Sequence, residues 1–177
     1  DSYDEIFILD KNGQMLITTG KMEDIEVDRD YFREATKGRT FNTNIFLSPV
    51  THRPTMVVAA PIRNSKEEII GVLAERIKLD AINKLIRDIE IGKTGESYLV
   101  NKEGYFLTES KFEAGYTLKK KISTKGTEEC KKGKSGVGEY IDYRHKKVLG
   151  AYFWIPEMEW SLMVEQDGSE AFQKIRH

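Results

Sequence analysis

Apolar positions come in short runs separated by turn residues, and one such pattern occurs twice. Phe7-Ile8-Leu9-Asp10-Lys11-Asn12-Gly13-Gln14-Met15-Leu16 returns as Tyr98-Leu99-Val100-Asn101-Lys102-Glu103-Gly104-Tyr105-Phe106-Leu107. Each copy reads as an apolar strand, a turn closed by glycine and a second apolar strand, which predicts a β-hairpin. The far ends of the two units correspond as well. Val57-Val58-Ala59-Ala60 leads to Gly71-Val72-Leu73-Ala74-Glu75, as Val148-Leu149-Gly150-Ala151 leads to Trp160-Ser161-Leu162-Met163-Val164-Glu165. A long period seen twice implies two sheet modules in tandem, since solenoid repeats are shorter and more numerous.

Between these landmarks the pattern predicts a hairpin over residues 6–19, a short helix over 31–38 and strands at 41–48, 55–62 and 69–78. Leu79, Ile82, Leu85, Ile86 and Ile89 recur at helical spacing, so 79–90 is an amphipathic connector. The second module runs from Gly92 with its own hairpin, a lysine-rich loop and strands near 137–143, 147–155 and 159–166. Residues 169–177 begin a departing helix. The fold class is α+β, each module an antiparallel sheet with short helices. The divisions are 1–78, a connecting helix at 79–91, and 92–177.

A length of 177 residues allows one substantial core or two small ones, and 39% hydrophobic with 32% charged residues describes an ordinary globular chain. The net charge of -1 gives no electrostatic reason to expect nucleic acid. Lys119-Lys120-Lys121 and Lys131-Lys132 read as solvated loop, with acids nearby. The single cysteine, Cys130, excludes an internal disulfide and a multi-thiolate metal site. No apolar run approaches the ~20 residues that cross a bilayer.

Gly92-Lys93-Thr94 has the ending of a phosphate-binding loop, but Arg87 stands where the pattern needs glycine, so nucleotide binding is set aside. His52, His145 and His177 show no metal-ligand spacing, and no catalytic signature is present. Trp154 and Trp160 read as core aromatics. No metal, cofactor or enzymatic activity is expected.

Two features point to binding. Asp28-Arg29-Asp30-Tyr31-Phe32 sets a guanidinium two residues before an aromatic pair, where a loop enters the short helix. Arginine matches a carboxylate through two parallel hydrogen bonds, and tyrosine adds a rigid wall tipped by a hydroxyl. Strand alternation also puts Arg76 on one face with Val72 and Ala74, either at the rim of a small cavity or in an ion pair with Asp28, Asp30 or Asp80.

The run Asp28-Arg29-Asp30-Tyr31-Phe32 with Ala35, the strand-loop Phe46-Leu47-Ser48-Pro49, Ala60-Pro61-Ile62 and Gly71-Val72-Leu73 together resemble the double-Cache (tandem PAS-like) sensor family. The resemblance extends to Gly92-Lys93-Thr94-Gly95 and Trp160 and covers nearly the whole chain. It implies an extracytoplasmic ligand-sensing region of a membrane receptor such as a histidine kinase, attached through transmembrane helices outside this sequence. A homodimer is implied as partner arrangement. The family's long N-terminal helix is absent from this sequence.

The resemblance further implies that the first module is membrane-distal and holds the ligand at Arg29, Tyr31, Phe32, Phe46 and Ser48. Arg76 stands where amino-acid-binding members carry an aspartate and dicarboxylate-sensing members a cation. The expected ligand is therefore a small carboxylate or other organic anion. An amino-acid chemoreceptor domain, and a structural or dimerisation module with a vestigial pocket, stay open as alternatives. The second module lacks an Arg-x-Tyr-Phe run and is expected to relay the signal.

Overall fold

Asp10 closes the first hairpin with its own side chain. Its carboxylate accepts from the amides of Asn12 and Gln14, both at 2.8 Å, and Gly13 turns the chain at φ 86°, where a Cβ would be strained. The computed structural model describes residues 3–20, 29–48, 52–89 and 91–173; Asp28, Pro49 and His177 lie outside them. The chain divides into two compact units, residues 1–81 and 82–177.

In the first unit the hairpin strands β1 (Tyr3–Asp10) and β2 (Met15–Thr18) form one side of an antiparallel sheet. α1 (Asp30–Thr36), β3 (Phe41–Asn42), β4 (Phe46–Leu47), β5 (Pro54–Arg63) and β6 (Ile69–Lys78) complete the unit. The sheet order is β2-β1-β6-β5-β3, with β4 also on β5. Where the sequence pattern reads one strand over 41–48, the structure has two short ones. Thr43 causes the break. Its hydroxyl, not a backbone carbonyl, accepts from the Val57 amide at 2.9 Å, so the ladder is interrupted there.

α1 lies on β3, β5 and β6 and stops at Gly38, whose φ is 91°. Its Tyr31, Phe32 and Ala35 pack onto Phe7, Leu9, Val57, Ala59, Val72 and Ala74, all buried. These sheet residues sit at every second position, so one face is the core. Burying each large apolar side chain contributes roughly 1.5–3 kcal/mol.

The second unit contains most of α2 (Leu79–Arg87), then β7 (Glu96–Asn101), α3 (Lys125–Lys131), β8 (Gly136–Ile141), β9 (Lys147–Ile155), β10 (Trp160–Asp167) and α4 (Gly168–Ala171). Its antiparallel sheet runs β7-β10-β9-β8. The second copy of the hairpin pattern does not form a two-stranded ladder. Residues after the Gly104 turn make only single bridges, Val100 to Phe106 and Tyr105 to Lys121, because Phe106 turns its amide to the Lys120 carbonyl. α2 also departs from its apolar stripe. Leu85 is 71% exposed, whereas Asn83 is buried and accepts from the Glu109 amide at 2.9 Å.

The Gly92-Lys93-Thr94 triplet does cradle an oxyanion, but the anion is the chain's own. Glu170 accepts from the Lys93 and Thr94 amides at 2.8 Å each and from the Thr94 hydroxyl, which holds its carboxyl down at about 2.

Glu165 is among the buried charge-bearing groups of this unit. It pairs in register with Glu96 across β10 and β7, and both are buried. The hydroxyls of Tyr98 and Tyr140 donate to it at 2.9 and 2.8 Å. Tyr140 reaches it across Gly150, the β9 partner of Glu165, where any Cβ would overlap the phenol. Burial, opposed by the two tyrosine hydrogen bonds and reinforced by Asp142 and Glu96, lifts the Glu165 carboxyl to about 7.

A pH dependence follows. A carboxyl raised on folding stabilises the fold fully below its unfolded value, and that contribution is lost as pH rises through about 7. The second unit should therefore lose up to about 3 kcal/mol between pH 4.5 and 8, from 1.36 kcal/mol per pKa unit. Glu165→Gln should flatten the dependence. Both tryptophans, Trp154 and Trp160, lie in this unit, so urea unfolding followed by their fluorescence isolates it.

Candidate functional site

The core face of the first sheet changes character along its strands. Leu9, Val72 and Ala59 hold one end in the apolar cluster, and polar groups collect at the other. Register sets the polar rows. Arg76 on β6 lies opposite Glu5 on β1 and Val57 on β5, and Thr55 lies between Phe46 on β4 and Lys78 on β6. Directly paired residues share a face, so Glu5, Arg76, Lys78, Thr55 and Phe46 all project to the side covered by α1.

α1 brings the remaining groups. Arg29 is its N-cap, extended at φ -94° and ψ 146°, and its carbonyl accepts from the Phe32 and Arg33 amides at 3.1 and 3.2 Å. That anchor fixes the backbone while the guanidinium lies over the Phe46 ring, 5.5 Å from its centroid. Tyr31 follows two residues later, 2% exposed, edge-on to Phe7 at 6.3 Å. Burial pushes the pKa of its hydroxyl up, the positive charges of Arg29 and Arg76 oppose this, and the Glu5 carboxylate adds to it.

Arg76 does not stand alone. Its guanidinium donates to Glu5 at 2.6 Å with both side chains largely buried, and stacks 5.9 Å from the Phe7 centroid. The second Glu5 oxygen accepts from the Thr18 hydroxyl at 2.5 Å. Sequence alternation assigns the face of Arg76, but the partner it suggested was Asp28, Asp30 or Asp80. Glu5 fills that role because β1, distant in sequence, is the neighbour of β6.

Of the sequence-derived residues, Arg29, Tyr31, Phe46 and Arg76 meet at this polar end. Phe32 belongs to the apolar cluster under α1. Ser48 is buried just after β4, its amide donating to the Arg53 carbonyl at 2.9 Å. Sequence reasoning missed Glu5, Thr18, Thr55 and Lys78. Lys78 was legible, since it continues the Val72-Ala74-Arg76 alternation by one step. Among the described residues no group of His, Cys, Asp and Glu is arranged to hold a metal.

The Cache domain family model matches residues 1–175, and the chain belongs to that family. No curated protein matches the sequence. Among solved structures, the extracellular domain of rpHK1S-Z16, classed as a histidine kinase, superposes with TM-score 0.70 at 15% identity, over 95% of this chain and 72% of that one. The Pseudomonas aeruginosa amino-acid chemoreceptor PctB, in complex with L-Gln, gives TM-score 0.69 at 18% identity, over 98% and 72%. PctC of the same organism, in complex with GABA, gives 0.68 at 18%, over 94% and 75%. These likenesses show the fold. Cache domains are extracytoplasmic sensor domains of membrane receptors. Among the described residues no helix is long and apolar enough to cross a membrane.

Removing one member of a buried ion pair leaves the other charge uncompensated, at about 3–5 kcal/mol. Glu5→Ala should destabilise the first unit by an amount of that order, seen as lost amide hydrogen-exchange protection in β1 and β6. Protection in β9 and β10 should stay unchanged.

Proposed function

We propose that this chain is the extracytoplasmic sensor region of a transmembrane signalling receptor, most simply a histidine kinase. On this reading its two units are tandem Cache modules, and residues 1–78 form the membrane-distal one. A small organic carboxylate binds at the polar end of the first sheet face. Arg29 clamps the carboxylate, Tyr31 and Phe46 wall the site with Phe32 in the apolar cluster behind them, Ser48 lies at its margin, and Arg76 supplies a second positive charge. The observation that carries this reading is the gathering of two guanidinium groups at one end of the sheet face, Arg29 on the Phe46 ring and Arg76 on the Phe7 ring, beside the buried Tyr31 that packs edge-on to Phe7.

Glu5 also supports a second reading. A carboxylate at the rim could accept an ammonium group, and the structural neighbours PctB and PctC bind L-Gln and GABA. An amino acid would then present its carboxylate to Arg29 and its ammonium to Glu5.

Ligand binding must favour one receptor state by ~5.5 kcal/mol to swing it from 1:99 to 99:1. Charge-assisted hydrogen bonds at roughly 1.5–3 kcal/mol each supply part of that. In the proposed relay the second unit passes the change through α4 to a membrane helix, in a homodimer. Glu170 ties α4 to the Lys93-Thr94 turn, which supports a stiff exit from that unit.

Calorimetry with succinate, malate, pyruvate, acetate, L-glutamine and GABA tests the ligand class. Micromolar binding of an organic acid, weakened at least tenfold by Arg29→Gln, is expected. Tight amino-acid binding with no response to organic acids would replace the first reading with the second.

A further inference from the structure

Three threonines of the first unit have partners for their hydroxyls: Thr18 donates to Glu5, Thr36 to the Phe32 carbonyl at 3.0 Å, and Thr43 accepts from the Val57 amide. Thr55 differs. It is 2% exposed, and its Oγ1 has no hydrogen-bond partner. A buried hydroxyl without a partner lowers stability, because water's hydrogen bonds are lost and nothing replaces them. Valine would fill the same volume on the same strand without that cost, and β-branched residues suit the position. Local packing therefore does not account for a hydroxyl here.

Its position gives the missing reason. Thr55 faces the helix side of the sheet, directly opposite Phe46, whose ring carries the Arg29 guanidinium. Two residues on, Val57 lies opposite Arg76. The unpartnered oxygen thus stands in the polar end of the face, among the groups assigned to the ligand.

We infer that Thr55 is a specificity-determining residue, and that its hydrogen-bond partner is a second polar group on the ligand, separate from the carboxylate held by Arg29. The inference rests on the proposed carboxylate site and narrows it. A monofunctional acid would satisfy Arg29 and leave Thr55 bare, whereas a carboxylate with a second hydrogen-bonding group satisfies both. A hydroxyl offers one donor and two lone pairs, so a carboxylate, hydroxyl, oxo or ammonium group could serve. Sites that hydrogen-bond a polar substituent discriminate strongly against analogues lacking it.

Succinate and butyrate share a four-carbon chain and differ in the second carboxylate, so they probe the difference directly. Calorimetry on wild type, Thr55→Val, Thr55→Ser and Arg29→Gln with succinate, malate, butyrate, L-glutamine and GABA tests the assignment, with melting of each apo protein recorded. Wild type should bind succinate or malate at least tenfold tighter than butyrate. Thr55→Val should lose about tenfold for the bifunctional ligand, leave butyrate unchanged and melt no lower than wild type; Thr55→Ser should restore binding. A merely structural role would lower the melting temperature and weaken all ligands alike, overturning the inference. Wild-type binding that Arg29→Gln weakens and Thr55→Val leaves intact would remove Thr55 but keep the carboxylate site. L-glutamine or GABA binding that Thr55→Val weakens would uphold Thr55 while removing the organic-acid reading. Wild type that binds none of the five overturns both.

Discussion

The Glu5–Arg76 ion pair is the constraint around which the first unit is arranged. A guanidinium on the core face of a sheet is tolerated only when its charge and donors are met. Here β1 supplies the carboxylate, Thr18 steadies the other oxygen, and the Phe7 ring lies beside the guanidinium. The pair joins two strands 71 positions apart in sequence. It also divides the face, with close-packed aliphatic residues on one side and the Arg29-Tyr31-Phe46-Thr55 group on the other.

The second unit answers the same problem differently. Phe7 lies opposite Ala74, and Tyr98 lies opposite Met163. Counting two residues back along β1 and β7 equates Glu5 with Glu96. Counting two forward along β6 and β10 equates Arg76 with Glu165. One register position thus holds opposite charges in the first unit and two acids in the second. Two buried carboxylates side by side cannot both ionise cheaply. Burial chiefly, with Asp142 and Glu96 adding, lifts Glu165 to about 7, and the Tyr98 and Tyr140 hydroxyls enclose it. The difference lies in one residue identity at one register position, Arg76 against Glu165.

Local signals carried most of the fold. The Asp10 and Asn101 turns, the alternation in β5, β6, β9 and β10, and the acid-to-glycine bounds of α1 are short-range features, legible where residues a few places apart decide the outcome. What escaped depends on strand neighbours. The second hairpin copy carries the same pattern as the first, yet its return segment is drawn to Lys120 and forms single bridges. Repeat matching by composition set Glu75 beside Glu165, whereas strand register sets Arg76 there. At the site, Arg29, Tyr31 and Phe46 were accessible through motif and resemblance. Glu5 and Thr55 were not, because an acid near the chain start and a threonine in a strand become informative only when register shows what they face.

The ion pair also determines how the proposed site can respond. An anion that took Arg76 outright would strand Glu5 as a buried charge, and the cost of that exchange would cancel much of the gain. Arg76 therefore serves best as fixed positive potential, held in place by its bond to Glu5. Arg29 is different: its main chain is anchored by the first turn of α1, while its guanidinium rests on an aromatic face. On the proposed reading, carboxylate capture at Arg29 acts on the N-terminal end of the helix that covers the sheet. The sheet itself, braced by Glu5 and Arg76, stays as the reference against which that helix is pulled.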